Sequence, residues 1–412
     1  MEERLARNVL HAVLARLRTG RLTVVEGGRR TDFGPGGEPS ATVEVRSPRA
    51  WTMLLRGSRG LAESYAAGLW DTPDLAAVIR VAARNVTAAD AVRRRLAPIR
   101  EPVLRARDAF VRNTPARSRD DIAAHYDLGN DLFELMLDPT MTYSCALFAD
   151  EDTTLADAQQ AKLDLICAKL DLRPDDHLLE IGTGWGGLAI HAARTSGCRV
   201  TTTTLSREQR DLAVARIADA GLSDRITVVM EDYRHLTGRY DRLVSIEMIE
   251  AVGWKDFDTF FAVCSNRLKP DGLMLLQAIV IDDRAYSVER FTRSFIRTHI
   301  FPNGCLPSNE LIARCIARDT DMRTVHLDDL TSSYVHTLRA WRDNVEAHEQ
   351  RLDELGYDER FRRLWRLYLA YCEAGFAERR IGVVQTVHAK PLWRGEVRAS
   401  AADVRRPVAV AS

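Results

Sequence analysis

The sequence predicts an α/β fold, in which a doubly wound and mostly parallel sheet follows a smaller N-terminal α/β domain. The first observation behind this prediction is size: the chain has 412 residues, 46% of them hydrophobic, which is enough for two or three domains with a sizeable core. The second is that short apolar runs alternate with helical segments from about Leu178 onward. This alternation is typical of parallel sheets, because parallel neighbours need a crossover connection.

Charge and cysteine content narrow the possible functions. The chain has 58 basic and 58 acidic residues, so no overall field attracts it to nucleic acid, and we expect no nucleic-acid partner. Its seven cysteines form no CxxC pair and no zinc-finger spacing, so we expect no metal site and a reduced, cytoplasmic setting. No apolar run approaches the roughly 18 residues of a membrane-spanning helix. We therefore expect a protein that is soluble or sits on a membrane surface.

Residues 1–92 are predicted to form a small accessory domain without catalytic chemistry. It begins with an amphipathic helix, in which apolar residues such as Leu5, Val9 and Val13 recur at helical spacing between arginines. These interrupting charges argue against a signal peptide. The stretch Thr42–Val45 reads as a strand, and no acid/base group accompanies it.

A basic linker is predicted at residues 93–119. It contains nine arginines against Glu101 and Asp108, a net charge of +7, and prolines interrupt it. Two interpretations stay open: a solvated connector, or a contact with anionic lipid, at which each basic residue contributes roughly 1 kcal/mol. The arginines assigned to membrane contact in the second interpretation are Arg93, Arg94, Arg95, Arg100, Arg105 and Arg107.

The alternation that follows defines the predicted sheet. The apolar runs that read as strands are 177–181, 198–205, 225–230, 240–246 and 273–281. The segments between them that read as helices are 186–197, 206–222 and 256–272. From about Pro307 the chain is predicted to be mainly helical, and residues 396–412 are predicted to form a disordered tail.

Glycines follow the first of these strands in LLEIGTGWGGLAI (Leu178–Ile190). They let the backbone turn tightly and approach a ligand at the carboxyl edge of the sheet. A dinucleotide site would place an acidic residue at the end of the second strand, but the nearest one, Glu208, lies beyond it on a helix. The GxGxG form, with Glu180 before Gly182 and Gly184, is instead common among S-adenosylmethionine methyltransferases. The predicted cofactor is therefore S-adenosylmethionine.

The segment EDYRHL (Glu231–Leu236) follows the third strand. Asp232 within it is suited to accept a hydrogen bond from the amino group of the cofactor's adenine ring. A plain surface loop is the alternative interpretation of this segment.

Together, these motifs resemble the cyclopropane-fatty-acyl-phospholipid synthases and mycolic-acid cyclopropane synthases. The segments that carry the resemblance, in that family's order and spacing, are HYDLGNDLFELMLDPTMTYSCALF (His125–Phe148), LLEIGTGWGGLAI (Leu178–Ile190), SREQ (Ser206–Gln209), DRLVSIEMIEAVG (Asp241–Gly253), LLQAI (Leu275–Ile279), IFPNGCLPS (Ile300–Ser308) and YCEAGF with GVVQ (Tyr371–Gln385). They imply a Rossmann-like S-adenosylmethionine methyltransferase domain over residues 120–395. The N-terminal domain is similar to the one found in phospholipid-acting members.

The resemblance also implies where the cofactor is held. Two tyrosines and a serine would close over its methionine part, two glycines would line it, and a glutamine would hold the ribose. In this order, these residues are Tyr126, Tyr143, Ser144, Gly182, Gly184 and Gln209.

The family reaction needs a base, because an alkene that takes up a methyl group leaves a carbocation on the acyl chain. The resemblance implies that a bound bicarbonate ion takes this role, since a carboxylate touching the cation risks being alkylated. Cys145 would help to hold the ion and would be neither a nucleophile nor a metal ligand. The other groups implied at the ion are Glu250, the backbone of Ile279, and Tyr334, whose ring would also steady the cation.

Two positions depart from the family pattern. Gln277 stands where ring-forming members have histidine in LLHTI, and Ala251 replaces the histidine of EHVG. Glutamine still forms hydrogen bonds but does not titrate. The form EMIEAVG, with Glu247 one helical turn before Glu250, resembles the actinobacterial enzymes of tuberculostearic acid synthesis, which leave a methylene branch instead of a ring. A separate reductase would saturate such a product.

Two competing functions stay open at the level of sequence. One is a methyltransferase that acts on a soluble small molecule and has no need of the basic linker. The other is a non-catalytic lipid-binding protein of the same fold, against which the intact glycine loop and the TYSCALF motif (Thr142–Phe148) argue. The leading expectation is an enzyme at the inner face of the cell membrane, acting on the acyl chain of a phospholipid. A homodimer is left open.

Overall fold

The computed structural model describes residues 2–85, 129–292 and 294–398. The predicted linker 93–119 with its membrane-contact arginines, Tyr126, and most of the predicted tail 396–412 lie outside these residues. The described chain divides into two compact units, and each unit draws on separate stretches of sequence. Within it, no helix combines the length and apolar character needed to cross a membrane.

The elements of the described chain alternate between strands and helices. The strands are β1 (Gly20–Glu26), β2 (Arg29–Gly36), β3 (Ser40–Val45), β4 (Trp70–Asp71), β5 (His177–Ile181), β6 (Arg199–Thr203), β7 (Ile226–Val229), β8 (Tyr240–Ile246), β9 (Leu268–Ile281), β10 (Arg323–Asp329) and β11 (Ile381–Ala389). The helices are α1 (Glu2–Leu14), α2 (Arg49–Leu54), α3 (Ser58–Ala66), α4 (75–85), α5 (Asn130–Met136), α6 (Leu155–Lys169), α7 (Gly187–Ser196), α8 (Arg207–Asp219), α9 (Phe257–Arg267), α10 (Asp283–Glu289), α11 (Asn309–Asp319), α12 (Thr331–Ala347), α13 (Glu349–Glu354) and α14 (Glu359–Ala377). Shorter helical turns lie at Tyr233–His235, Ile249–Ala251 and Ile296–Ile300.

The first unit joins the described N-terminal residues to the described parts of 287–302 and 338–381. Its sheet has the strand order β2-β1-β3-β4. β1 and β3 are parallel, whereas the β1–β2 and β3–β4 pairs are antiparallel. This small α/β unit agrees with the predicted character of the N-terminal region, although its later helices come from far along the chain.

Arg363 attaches α14 to the N-terminal part of this first unit. Its buried guanidinium donates to the carbonyls of Tyr65 (2.7 Å) and Trp70 (3.0 Å). It also pairs with Asp71 (3.2 Å) and lies 4.0 Å from the centre of the Tyr65 ring. The predicted catalytic domain 120–395 includes α14, whereas the structure groups α14 with the first unit. Contacts between residues so distant in sequence leave no local pattern to detect.

The second unit contains a seven-stranded sheet of order β10-β11-β9-β8-β5-β6-β7. The β5–β6, β6–β7, β5–β8 and β8–β9 pairs are parallel, and β10 is antiparallel to β11. Buried side chains pack on both faces, as shown by Leu178 and Leu179, which belong to different core clusters. The parallel-dominated sheet confirms the predicted α/β class.

The bounds of the strands follow the prediction closely in the centre of the sheet and less closely at its edge. β5 and β8 coincide with the predicted runs 177–181 and 240–246, and β9 begins earlier, at Leu268. The expectation of a mainly helical region after Pro307 misses β10 and β11. β10 is a polar, largely exposed edge strand, so it lacks the apolar run by which the central strands are found.

The strand order places the expected ligand edge between β5 and β8. From β5, the sheet continues through β6 and β7 on one side and through β8 and β9 on the other, so the direction of the strand order reverses here. Open α/β sheets bind ligands at the carboxyl ends of the strands that flank such a reversal. The glycine loop follows β5, and Glu247 follows β8. Gln277 on β9 pairs in register with Ile246, the last residue of β8. The fold thus gathers the predicted site residues at one edge.

We expect Arg363→Ala to lower the free energy of unfolding by about 3 kcal/mol, because the carbonyls of Tyr65 and Trp70 and the Asp71 carboxylate each lose one donor. Arg360→Ala, at an exposed position of the same helix, should change it by less than about 0.5 kcal/mol. Urea denaturation followed by tryptophan fluorescence measures both. Equally small effects would contradict the role of Arg363 in attaching α14.

Candidate active site

The glycine loop turns sharply at the carboxyl end of β5. Gly182 and Gly184 have φ angles of 105° and 51°, which other residues rarely adopt. The amides of Gly182 and Thr183 both donate to the carbonyl of Thr203 on β6 (3.0 Å each), which fixes the loop against the sheet. A Cβ atom at Gly182 would lie 3.2 Å from Cβ of Met248, in the segment after β8. The glycine loop and that segment therefore abut.

Glu180 lies in β5, two residues before the loop, and its side chain is buried. Burial raises the pKa of its carboxyl to about 8, although the Thr202 hydroxyl opposes this shift. Its Oε2 atom is buried without a hydrogen-bond partner in the described chain. Because such an oxygen is costly to leave unpaired, its environment fits a ligand that brings a hydrogen-bond donor.

Gln209 is held beside the end of β6 by the start of α8. Ser206 caps this helix and accepts a hydrogen bond from the backbone amide of Gln209 (3.2 Å). The Oε1 atom of Gln209 accepts from the Thr204 hydroxyl (2.9 Å), and the side chain is buried. With Oε1 engaged in this way, a ligand at this position would meet the NH2 group of Gln209.

Asp232 caps the short helical turn after β7 and forms an ion pair within that turn. Its two carboxylate oxygens accept from Nε and a terminal nitrogen of Arg234, each at 2.7 Å. Burial acts to raise the pKa of Asp232, but the guanidinium outweighs it and holds the pKa below its ordinary value. The carboxylate expected to meet an adenine amino group is therefore already paired with Arg234, a residue that sequence analysis did not single out.

Tyr143 and Ser144 lie in the loop that follows α5. The Tyr143 ring packs edge-on against Phe133 on α5, with 5.2 Å between ring centres. The Ser144 hydroxyl accepts from Nζ of Lys162 on α6 (2.8 Å). Burial lowers the pKa of Lys162 to about 8. No sequence signal marks Lys162, since a lysine in a helix is ordinarily exposed.

Glu247, the first residue after β8, forms the centre of a partly buried hydrogen-bond cluster. Its Oε1 atom accepts from the backbone amide of Cys145 (2.9 Å) and from Nε2 of Gln277 (2.7 Å). Its Oε2 atom accepts from the hydroxyl of Tyr334 (2.5 Å). Three predicted catalytic residues, Cys145, Gln277 and Tyr334, thus meet around one carboxylate.

A relay of side chains fixes which way the Gln277 amide points. Lys169 Nζ, which only donates, lies 2.6 Å from Oε1 of Gln385 and also pairs with Asp328. The NH2 group of Gln385 consequently donates to Oε1 of Gln277 (2.8 Å). This leaves the NH2 group of Gln277 directed at Glu247, so the cluster presents donors, not acceptors, to that carboxylate.

Glu250 lies one helical turn further on, with a different set of contacts. Its Oε1 atom accepts from the backbone amide of Ile279 (2.6 Å), and Oε2 is buried without a partner in the described chain. Burial and the nearby Glu247 raise the pKa of its carboxyl to about 8. The backbone amide of Cys305 donates to the carbonyl of Glu250 (2.8 Å) and anchors the turn. Two carboxyl groups of unequal environment therefore share this site.

Cys145 contributes its backbone to the site. Its thiol lies within hydrogen-bonding distance of the carbonyls of Ala146 (3.2 Å) and Leu330 (3.7 Å). Burial, and then the charge of Glu247, raise the pKa of the thiol well above its usual value. The thiolate needed for nucleophilic attack or metal binding is thus disfavoured. Nowhere in the described chain do His, Cys, Asp and Glu side chains group as a metal site.

The structure brings the predicted residues together in two groups. Cys145, Gln277 and Tyr334 surround Glu247, while Glu250 and Ile279 pair with each other beside them. The glycine loop adjoins both groups through the segment that contains Met248. Gln385 has no role assigned from the sequence, although it is the last residue of the GVVQ segment that contributes to the family resemblance. Lys162 and Lys169 carry no comparable signal.

Comparison with known proteins relates this site to one family. The chain matches the family model for mycolic acid cyclopropane synthetase over residues 113–386. It is 40% identical to the tuberculostearic acid methyltransferase UfaA1 of Mycobacterium tuberculosis, over 88% of this chain and 86% of that one. It is 37% identical to the cyclopropane-fatty-acyl-phospholipid synthase of Escherichia coli K12, over 89% of this chain and 92% of that one.

Solved structures give a consistent result. The cyclopropane synthase MmaA2 from Mycobacterium tuberculosis matches with a TM-score of 0.62 and 33% identity, covering 66% of this chain and 98% of that one. The mycolic acid cyclopropane synthase CmaA1, complexed with SAH and CTAB, gives the same TM-score, identity and coverage. Coclaurine N-methyltransferase, at 19% identity and a TM-score of 0.57, shares the Rossmann-like methyltransferase fold alone.

The raised pKa of Glu180 makes a prediction about stability. The folded protein keeps this proton up to about pH 8, whereas the ordinary value is 4.5, so this group's contribution to stability is lost as pH rises between these values. Glu180→Gln should match the unmutated protein to within about 1 kcal/mol at pH 5 and exceed its free energy of unfolding by about 4 kcal/mol at pH 8.5. Urea denaturation at both pH values measures the difference.

The matched control is Glu208→Gln, because Glu208 is exposed on α8. Its effect on the free energy of unfolding should be small and independent of pH. A Glu180→Gln effect that is equally independent of pH would contradict the protonated, buried state of Glu180.

Proposed function

This chain belongs to the mycolic acid cyclopropane synthetase family, and from that premise we propose that it transfers a methyl group from S-adenosylmethionine to the cis double bond of an unsaturated acyl chain in a membrane phospholipid. It is an S-adenosylmethionine-dependent C-methyltransferase with a Rossmann-like sheet. The names of the two relatives, one for a fatty-acyl phospholipid and one for tuberculostearic acid, supply the proposed substrate class.

The observation that carries the proposal is the partly buried pair of carboxyl groups beside the glycine loop, Glu247 and Glu250. Methyl transfer to an oxygen or nitrogen acceptor can release its proton to water, but methyl transfer to an alkene needs a base inside a dry pocket. Glu247 and Glu250 flank the Met248–Ile249 pair and supply two carboxyl groups whose pKa values are raised by burial, and Met248 adjoins the glycine loop. This arrangement favours the alkene over a soluble acceptor.

The described residues fit S-adenosylmethionine. Gly182 and Gly184 leave room for close approach, the NH2 group of Gln209 is available to a ribose hydroxyl, and Glu180 has an unpaired oxygen for a donor. When bound, the cofactor supplies a methyl group on a positively charged sulfur. We propose that Tyr143 and Ser144 close over the methionine end, with Lys162 holding the Ser144 hydroxyl in place.

The reaction balances with one methyl group gained and one proton lost. The two π electrons of the alkene form the bond to the incoming methyl carbon while the sulfur–methyl bond breaks, which leaves a cation on the acyl chain. A base then removes a proton, and the electrons of that C–H bond form either a ring bond or a double bond. We propose that the ring of Tyr334, whose hydroxyl donates to Glu247, steadies the cation.

The resemblance to the family implies bicarbonate as the base, but the residues present do not fit that ion. The donors expected to hold it include the amide of Cys145, the NH2 group of Gln277 and the hydroxyl of Tyr334. In the described chain all three donate to Glu247. No step of the proposed reaction is therefore assigned to bicarbonate.

Gln277 bears on which product forms. Loss of a proton from the added methyl group closes a cyclopropane, whereas a hydride shift before that loss gives a methylene branch. An amide cannot take up a proton as histidine can, so proton removal is slower and the hydride has time to move. We propose a methylene-branched acyl product of the 10-methylene type, which a separate reductase would saturate.

The proposed place of action is the inner face of the cell membrane. The arginines assigned to membrane contact, Arg93 to Arg107, lie outside the described residues, and their role stays a proposal that rests on their charge. An anionic lipid surface is the partner that this charge favours.

The test is lipid analysis in a bacterial host that expresses the protein and is fed methionine with a deuterated methyl group. The proposal expects acyl chains that contain one additional carbon, which carries the label. Gas chromatography and mass spectrometry of the methyl esters detect them. Gly182→Val, which strains a φ of 105° and crowds Met248, is the inactive control. Label confined to soluble metabolites would favour the small-molecule methyltransferase, and no transfer at all would favour the lipid-binding protein.

Gln277→His should raise the cyclopropane fraction of the product, because imidazole can take up a proton and shorten the life of the cation. Gln277→Asn, which keeps a non-titrating amide, is the matched control and should lower the rate without producing cyclopropane. The same chromatography separates the two products. A purely cyclopropane profile from the unmutated protein would contradict the branching proposal while leaving the methyl transfer intact.

A further inference from the structure

We propose that Glu247 is the resident base of this enzyme, occupying the position in which the family's reaction would use an external bicarbonate ion. This inference rests on the proposed methyl transfer to an alkene. It adds a catalytic residue, and it predicts that the reaction proceeds without any dissolved anion.

The first argument is the direction of the hydrogen bonds. Three donors from separate parts of the second unit converge on the two oxygens of one carboxylate, at 2.9, 2.7 and 2.5 Å. The relay from Lys169 through Gln385 excludes the flipped orientation of the Gln277 amide. The pocket is thus built to hold a planar oxyanion, and the carboxylate of Glu247 already has that shape.

The second argument is the backbone at Glu247. Its φ of 48° lies in the left-handed region, where a glutamate is disfavoured and a glycine is not. Its amide donates to the carbonyl of Gln277 (2.8 Å), which holds this conformation at the end of β8. Strain of this kind persists where the surrounding structure enforces it, and it commonly marks functional positions. Here it directs the side chain into the donor cluster.

The third argument is the division of charge between the two glutamates. Glu250 has one oxygen on the Ile279 amide and the other buried without a partner in the described chain, an environment that favours the protonated form. Burial raises the pKa of Glu247 as well, but three hydrogen bonds to its carboxylate and the nearby positive charge of buried Lys162 oppose that shift. A single negative charge on Glu247 is therefore the arrangement in which both groups are best satisfied.

The geometry also indicates which atom takes the proton. Oε1 of Glu247 accepts two hydrogen bonds, whereas the structure gives Oε2 one donor, the Tyr334 hydroxyl. A proton leaving the acyl chain would bind to Oε2, giving a carboxylic acid that returns the proton to solvent after product release. Because three donors spread the negative charge, the carboxylate is a weak nucleophile toward the cation, which reduces the risk of its own alkylation.

The experiment compares the unmutated protein with Glu247→Gly and Glu247→Gln in buffer freed of carbon dioxide. Glycine readily adopts the backbone conformation of residue 247 and leaves the three donors without a carboxylate. Glutamine fills the same space without a charge. All three should bind S-adenosylmethionine with similar affinity by calorimetry, since the contacts of the glycine loop are unchanged. This measurement shows that each variant has folded.

We expect the unmutated protein to transfer methyl groups to phospholipid vesicles at a rate that bicarbonate changes by less than about twofold. Both variants should lose about 100-fold or more. Bicarbonate should restore Glu247→Gly at least about tenfold, with saturation, and should not restore Glu247→Gln. Carbon-13 NMR with labelled bicarbonate should detect binding to Glu247→Gly only, a readout that does not depend on activity.

Two results would overturn the inference: a requirement of the unmutated protein for bicarbonate, or full activity of Glu247→Gly without it. Failure of the proposed function would look different. In that case the unmutated protein would leave the acyl chains unmodified under every condition, while the NMR measurement would still decide whether Glu247 fills the anion site.

Discussion

The candidate site depends on one interaction, the acceptance of three hydrogen bonds by the partly buried carboxylate of Glu247. A buried charge is costly, and only a complete set of donors makes it tolerable. The donors come from the loop before α6, from β9 and from α12, so this single carboxylate joins three parts of the second unit. The left-handed backbone at Glu247, the fixed amide of Gln277 and the orientation of Tyr334 are all arranged to satisfy it.

This dependence connects the sheet to the chemistry. The switch in strand order between β5 and β8 puts the glycine loop and Glu247 on adjacent strand ends, and Met248 fills the space between them. The proposed cofactor site and the proposed proton-accepting site are thus neighbours because of strand order. A buried, water-excluding edge favours alkylation of a weak nucleophile, since water would otherwise compete for the cation.

Sequence reasoning recovers what local pattern and motif encode. The central strands are apolar runs bounded by glycine and charge, so β5 and β8 are placed correctly, and the motifs identify Cys145, Gln277 and Tyr334 as residues that meet. The same reasoning does not reveal what these donors face, because Glu247 differs from a solvated helix residue only through contacts with distant segments. Lys162, Lys169 and the grouping of α14 with the first unit depend on such contacts as well. The ion pair between Asp232 and Arg234 joins residues only two positions apart, so the sequence alone could have indicated it. The sequence prediction assigns Asp232 to a ligand and does not consider this neighbour.

The relay that orients Gln277 joins residues that are far apart in the sequence, which bears on when it forms during folding. Lys169 and Gln385 are 216 residues apart, and Gln385 and Gln277 are 108 apart. The contacts that shape the glycine loop, between β5 and β6, span about a tenth of the larger distance, so they have a smaller loop-closure entropy to overcome. We therefore expect the glycine loop to form earlier in folding than the relay that orients the Gln277 amide. The orientation of the Gln277 amide therefore depends on the pairing of β11 with β9.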